Sequence, residues 1–303
     1  MGPEAFAPAP GWFDDGGHFA TADEYPFFGS VAPRLVGDEH DGRPILLYKA
    51  FRDVLGGYPK YFAQDVGECV GDGHGHGVDL LQCVEIALGE PSEYRETDTV
   101  FVYATSREVA GILGRGDGSY GSAAVKAMQT IGVASVEMVG APGPDGGARA
   151  TAWGRYGAPA DVKRAAGAYR LGGAARVTTW AELVAAMRNG YPVTICSNQG
   201  FEDSWRRVNP RDAWGFCTPG GTWGHCMLIG GVRFDRPGAC ILQSWGPDVP
   251  SGPLALDQPS YSFWADRYVV EAMLAQGDSW ALRQAPAFVE RRLPAHWSYA
   301  SAA

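Results

Sequence analysis

A histidine opens one apolar run and a side-chain amide closes another: Gly224-His225-Cys226-Met227-Leu228-Ile229-Gly230-Gly231 is followed by Ala239-Cys240-Ile241-Leu242-Gln243-Ser244-Trp245-Gly246. Short apolar runs bordered by turn residues read as strands, so the two runs would present an imidazole and its orienting partner at one sheet edge. An imidazole held in one tautomer by a side-chain carbonyl is equipped for general acid–base work. Such a pair needs a nucleophile. The segment Gln64-Asp65-Val66-Gly67-Glu68-Cys69-Val70-Gly71 supplies Cys69 in polar, glycine-rich surroundings. A thiol becomes a useful nucleophile as the thiolate, which a helix N-terminus and a neighbouring imidazolium both favour.

The other candidates are weaker. Cys83, Cys196 and Cys240 sit inside apolar patterns and read as small buried hydrophobes. His18, His40 and His296 lie in irregular or terminal stretches and read as solvated. His74 and His76 form Gly-His-Gly-His, but two imidazoles do not make a metal site, and the stretch reads as a solvated or cleft-lining turn. No metal ligand set and no cofactor is expected. Six cysteines without a Cys-x-x-Cys pair speak against a disulfide framework and a structural zinc. Glu68 beside Cys69, and Asp72 within a turn of it, suit a helix N-terminus yet would repel a thiolate.

Composition limits the functional classes. With 303 residues, 46% of them hydrophobic, the chain can bury one large core or two lobes sharing an interface. A net charge of −9 without a Lys/Arg stripe makes nucleic acid an unexpected partner. No run of about 18 apolar residues announces a membrane span. The first residues, Met1 to Gly17, lack the basic and apolar regions of a signal peptide, so the default location is the cytoplasm or a larger assembly. Nothing in the sequence announces an oligomeric state.

The elements that must position these residues follow from periodicity. Residues 1–43, rich in Pro, Gly and scattered aromatics, read as an extended arm that packs on the body, covers a cleft or mediates assembly. A helix carries Leu80, Leu81, Val84, Ala87 and Leu88 on one face and stops at Gly89. Gly71, Gly73, Gly75 and Gly77 are poor helix formers, which predicts that this helix starts loosely or begins near Val78. Further helices are expected over Thr99–Leu113, Ser119–Ile131 and from Pro159 toward Leu171. Thr179 and Glu182 have the spacing of a capping box, with a stop at Gly190. Strands are expected at 192–196, 225–232 and 239–245. The run from Gly140 to Gly147 reads as a loop between halves, giving an arm (1–43), a mainly helical lobe with Cys69 (44–140), a β-rich lobe with His225 and Gln243 (148–290) and a tail (291–303).

Cysteine, histidine and amide in this chain order resemble the papain-like cysteine peptidases. Gln64 before Cys69, Tyr103-Ala104-Thr105-Ser106-Arg107 followed by Asp117-Gly118-Ser119, Trp180-Ala181-Glu182-Leu183, Gly224-His225 and Gln243-Ser244-Trp245-Gly246 carry the resemblance over roughly residues 60 to 285. It implies an α+β, two-lobed fold and hydrolysis of peptide or isopeptide bonds in a peptide or protein substrate. The implied roles are Cys69 as nucleophile, His225 as acid and base, Gln243 as its orienting amide, and Gln64 with the Cys69 amide as oxyanion donors. Two departures stand out: Gln243 replaces the family's asparagine, and the Gln64–Cys69 interval is one residue shorter than usual. A scaffold that has lost catalysis and serves as a binding or structural protein is the alternative. Transglutaminase-like and cell-wall peptidase relatives also place Cys before His, and Ser244-Trp245-Gly246 favours the papain-like reading over them.

Overall fold

The computed structural model describes residues 11–14, 22–37, 42–61, 63–140, 147–201, 212–246 and 254–299. Helices α1 (Phe28–Val31) and α2 (Lys49–Leu55), with the short strand β1 (Ile45–Leu46) between them, precede the long helix α3 (Cys69–Ala87). Helices α4 (Thr99–Ala110), α5 (Gly121–Thr130), α6 (Val136–Val139), α7 (Ala148–Tyr156) and α8 (Ala160–Ala166) complete the helical portion. The remainder runs β2 (Gly173–Arg176), α9 (Trp180–Arg188), β3 (Val193–Phe201), β4 (Pro219–Arg233), β5 (Gly238–Leu242), β6 (Ser262–Asp266), α10 (Arg267–Leu274) and β7 (Asp278–Arg283).

The strands form one sheet in the order β2-β7-β3-β4-β5-β6, and the pairings between them are antiparallel. Strand β1 joins it through Ile45↔Val232 and Leu46↔Gly231. The expected order of helices before strands therefore holds. So do particular local signals. Thr179 and Glu182 form the capping box at the start of α9, and Gly89 and Gly190 take the positive φ of helix stops, 74° and 72°. The helices α6 and α7, the strands β2, β6 and β7, and helix α10 were not anticipated, because short alanine-, arginine- and serine-bearing segments carry little periodicity. Of the predicted loop from Gly140 to Gly147, residues 141–146 lie outside the described residues.

Helix α3 corrects one expectation. It starts at Cys69 rather than near Val78, and its glycines lie inside it. The reason is tertiary: a Cβ on Gly71 would fall 2.4 Å from the Thr99 carbonyl oxygen, one on Gly73 2.9 Å from Cys226 Sγ, and one on Gly77 2.9 Å from Leu282 Cδ1. The helix is thus pressed between α4 and the sheet with no side chain between. Alanine would ordinarily add about 1 kcal/mol of helix propensity. Gly71→Ala is nonetheless expected to destabilise the protein by about 1–3 kcal/mol, because the backbone of α4 blocks the methyl group. A lowered urea midpoint checks this; an unchanged or raised one would show that α3 can move away from α4.

A buried cluster between α3 and the sheet contains Cys69, Val70, Val78, Leu81, Cys196, Cys226 and Trp280. This cluster fixes the head of α3 against β3 and β4. No helix among the described residues is long and apolar enough to cross a membrane.

Candidate active site

Cys69 is the first residue of α3, and its side chain is fully buried. The backbone N–H of Cys226 approaches its Sγ at 3.4 Å, so the β4 segment holding His225 lies against the nucleophile candidate. His225, directly opposite Ser197 on β3, is also buried. The indole of Trp245 stacks on its ring at 5.0 Å between centroids and 19° between planes. Trp245 follows Gln243 by two residues, so the Ser-Trp-Gly signal and the imidazole do converge.

Gln243 Oε1 accepts a hydrogen bond from the Trp245 backbone N–H, while His225 Nε2 has no hydrogen-bond partner among the described residues. Gln64 is buried between the same segments: its Oε1 accepts from Ser244 Oγ at 2.7 Å, and its Nε2 donates to the Val66 carbonyl at 3.1 Å. The structure thus brings Cys69, His225, Gln243 and Gln64 into one neighbourhood, with both amides tied to other groups.

The cleft is filled by the chain's own arm. Gly11 and Trp12 donate backbone N–H bonds to the Gly224 carbonyl at 2.9 and 3.1 Å. On the other wall, Ser119 N–H donates to the Gly11 carbonyl at 2.8 Å and Phe13 N–H donates to the Ser119 carbonyl at 3.0 Å. The backbone of Gly11 passes so close to Cys69 that a Cβ there would lie 2.7 Å from Sγ and 2.5 Å from the Gly67 carbonyl oxygen. The Trp12 indole is buried, and its Nε1–H donates to Asp278 Oδ2 at 2.8 Å. Asp278 also accepts from Gly121 N–H and from Trp280 Nε1–H. Of the readings open for the arm, covering a cleft is the one that segment 11–14 fits; the Asp278 anchor is not among the expectations. The aromatic residues of the arm were the available signal, but nothing local paired Trp12 with Asp278.

Electrostatics follow from this closure. Burial pushes the Cys69 thiol well above its ordinary value, with Cys226 adding to the effect, and burial holds His225 down at about 3. Both groups are therefore neutral near pH 7. The ionisable sulfur nearest neutrality is instead Cys226. Burial opposes its ionisation, but a hydrogen bond from Cys196 and the nearby His74 outweigh it and bring it to about 7.

His74 and His76 correct part of a second expectation: both are buried within α3 rather than in a turn, and of the two His76 lines a cavity. His76 lies flat on Tyr61, 3.3 Å between ring centroids. His74 Nδ1 lies 2.9 Å from the Val70 carbonyl and 3.6 Å from Cys226 Sγ, and its Nε2 is 3.2 Å from Thr194 Oγ1. Cys196 and Cys226, opposed on β3 and β4, place their sulfurs 2.7 Å apart. Cys196 is therefore more than a buried hydrophobe. Ligand atoms of His74, Cys196 and Cys226 lie within 4.8 Å of one another, but both ring nitrogens already sit at hydrogen-bonding distance from protein oxygens. Of the remaining histidines, His18 and His40 lie outside the described residues, and the exposed His296 pairs with Asp53 at 2.8 Å.

No protein-family model and no curated protein sequence matches the chain. Solved structures do. Xylellain, a cysteine protease from Xylella fastidiosa, superposes over 93% of this chain and 96% of its own at 16% identity and a TM-score of 0.57. ProCathepsin B S9 from Trypanosoma congolense covers 91% of this chain and 86% of its own at 9% identity and a TM-score of 0.59. Digestive procathepsin L 3 of Tenebrio molitor larval midgut covers 87% and 77% at 12% identity and a TM-score of 0.52. Together with Cys69 heading the long helix and His225 on the sheet, these likenesses establish that the chain has the papain-like fold.

Proposed function

We propose that the chain is a cysteine peptidase held latent by its own arm. The observation that carries this reading is the extended segment 11–14, which crosses Cys69 and hydrogen-bonds to Gly224 on one wall and Ser119 on the other, as a substrate backbone would. Once the arm leaves, water reaches Cys69 and His225 and the burial penalty on both charged forms falls. The pair can then exist as thiolate and imidazolium.

Cys69 Sγ then attacks the carbonyl carbon of the substrate. The Cys69 backbone amide and Gln64 Nε2 donate to the oxyanion, and His225 gives its proton to the leaving amine. Water, deprotonated by His225, releases the acyl group and restores the thiol. The pocket that receives Trp12 takes an aromatic or hydrogen-bond-donating side chain of the substrate, because Asp278 lies at its end. The same chemistry serves peptide and isopeptide bonds.

One observation favours the reading of an inactive binding scaffold: Gln243 Oε1 is engaged by Trp245 N–H rather than by His225. Incubation of a mixed peptide library with protein lacking residues 1–14 distinguishes the two. Time-dependent cleavage by this protein, abolished by Cys69→Ala but retained by Cys226→Ser, is the expected result. No cleavage, or cleavage that survives Cys69→Ala, overturns the peptidase reading.

A further inference from the structure

A cavity of about 630 Å³ opens along α3 beside the Cys69 site, between that helix, residues 57–61 and 63–65 and the segment leading into α4. Two carboxylates of α3 line it. Asp72 and Asp79 are seven residues apart, which puts them on one helix face and about 10 Å apart along the axis. They are 7% and 1% exposed. Asp72 Oδ2 has no hydrogen-bond partner among the described residues, although the Thr99 and Ser244 side chains support its carboxyl group, and Asp79 accepts from Thr97, its Oδ1 from the backbone N–H at 2.9 Å. No cation is among the groups acting on either one.

The lining makes this lack of positive charge more pronounced. Lys60 is exposed at the rim, and Arg149 is held by Asp98 at 2.6 Å. Tyr61 Oη, which also lines the cavity, is buried without a hydrogen-bond partner among the described residues. Between the two carboxylates lies His76, stacked on Tyr61, so the middle of the cavity offers ring surface where its ends offer negative charge. Burying an unpaired carboxylate costs several kcal/mol unless a cation or a proton accompanies it. One metal ion cannot serve both, because its ligands must lie about 2.0–2.6 Å from it and these carboxylates are two turns apart.

We propose that this cavity binds a linear aliphatic diamine or polyamine, with one ammonium group on Asp72, another on Asp79, and the methylene chain against Tyr61 and His76. The ammonium groups supply the missing donors, and the two carboxylates together select a molecule that carries two of them. The cavity borders the Cys69 site through Gln64 and Glu68, and amine binding in it does not depend on the peptidase reading.

Calorimetric titration of the full chain at pH 9 and low salt tests this. That pH lies above the values to which burial raises Asp72, about 7, and Asp79, about 8. The expected result is saturable one-to-one binding of spermidine, at least tenfold weaker binding of 1-aminobutane, which carries a single ammonium group, and at least tenfold weaker spermidine binding by Asp72→Asn and by Asp79→Asn. Asp65→Asn, which alters an exposed carboxylate of the same lining, leaves binding unchanged. Unchanged urea midpoints for the two variants exclude unfolding as the cause of a loss. Absence of binding, equal binding of both amines, an equal loss in Asp65→Asn, or saturable calcium binding in place of spermidine binding overturns the proposal.

Discussion

Protein lacking residues 1–14 is expected to react with iodoacetamide at Cys69 at least 100-fold faster near pH 6–7 than the intact chain does. In the intact chain Gly11 lies on the sulfur, and burial keeps the thiol protonated and His225 neutral. Opening the cleft removes the penalty from both charged forms. A gain of two pKa units in thiolate stability, about 2.7 kcal/mol, already gives the hundredfold rise. Labelling must be read by peptide mapping, because Cys226 has the lower proton affinity of the two thiols. Gly11→Val is expected to reproduce the effect in the intact chain, since its side chain would have to occupy the space of Cys69 Sγ and the Gly67 carbonyl. Trp12→Ala, which removes a buried indole and its bond to Asp278, weakens arm binding by about 3–5 kcal/mol. Should Cys69 in the shortened protein label no faster than Cys217, the sulfur is not activated and the peptidase reading fails.

The sign of the pH effect on latency follows from His225. Its value of about 3 in the closed form lies below the ordinary 6.5, so the open form binds the proton more tightly. Acidification from about pH 6.5 toward 3 therefore favours opening. Alkylation of the intact chain, corrected for the thiolate fraction of a free thiol, is expected to speed up over that window.

The parts legible in the sequence were those written in local patterns. Gly224-His225 and Ser244-Trp245-Gly246 have strand borders that any antiparallel pairing would bring close, and Thr179 with Glu182 declares its helix start within four residues. What stayed hidden depends on contacts between distant segments. The glycines of α3 read as helix breakers because propensity describes an isolated helix; their role appears only when Thr99, Cys226 and Leu282 are seen against them. The cluster of His74, Cys196 and Cys226 depends on the β3–β4 register that sets Cys196 opposite Cys226, and a shift of one residue would turn one of the sulfurs to the other face. Asp278 is likewise an acidic residue at a strand start until the arm places Trp12 beside it.

In the arm-free protein, His225→Ala is expected to lower kcat/KM by about 10³-fold or more, and Trp245→Ala to cost more than Gln243→Ala. The first effect follows from the loss of both the imidazolium that stabilises the thiolate and the acid that protonates the leaving amine. The second follows from what actually touches the ring. Trp245 lies nearly parallel to His225, whereas the Gln243 carbonyl is spent on the Trp245 backbone. Gln243 then acts through Trp245 as a positioning residue, and its removal leaves the stacked ring in place, at a cost of about tenfold in kcat with KM unchanged. The pH profile separates this from a direct role: an amide bonded to His225 Nε2 would support the imidazolium, so Gln243→Ala would move the alkaline limb of the kcat/KM profile to lower pH, whereas a glutamine acting only on Trp245 leaves that limb unmoved. A loss from Gln243→Ala as large as that from His225→Ala, with a displaced alkaline limb, would mean that the glutamine swings onto Nε2 when the arm departs.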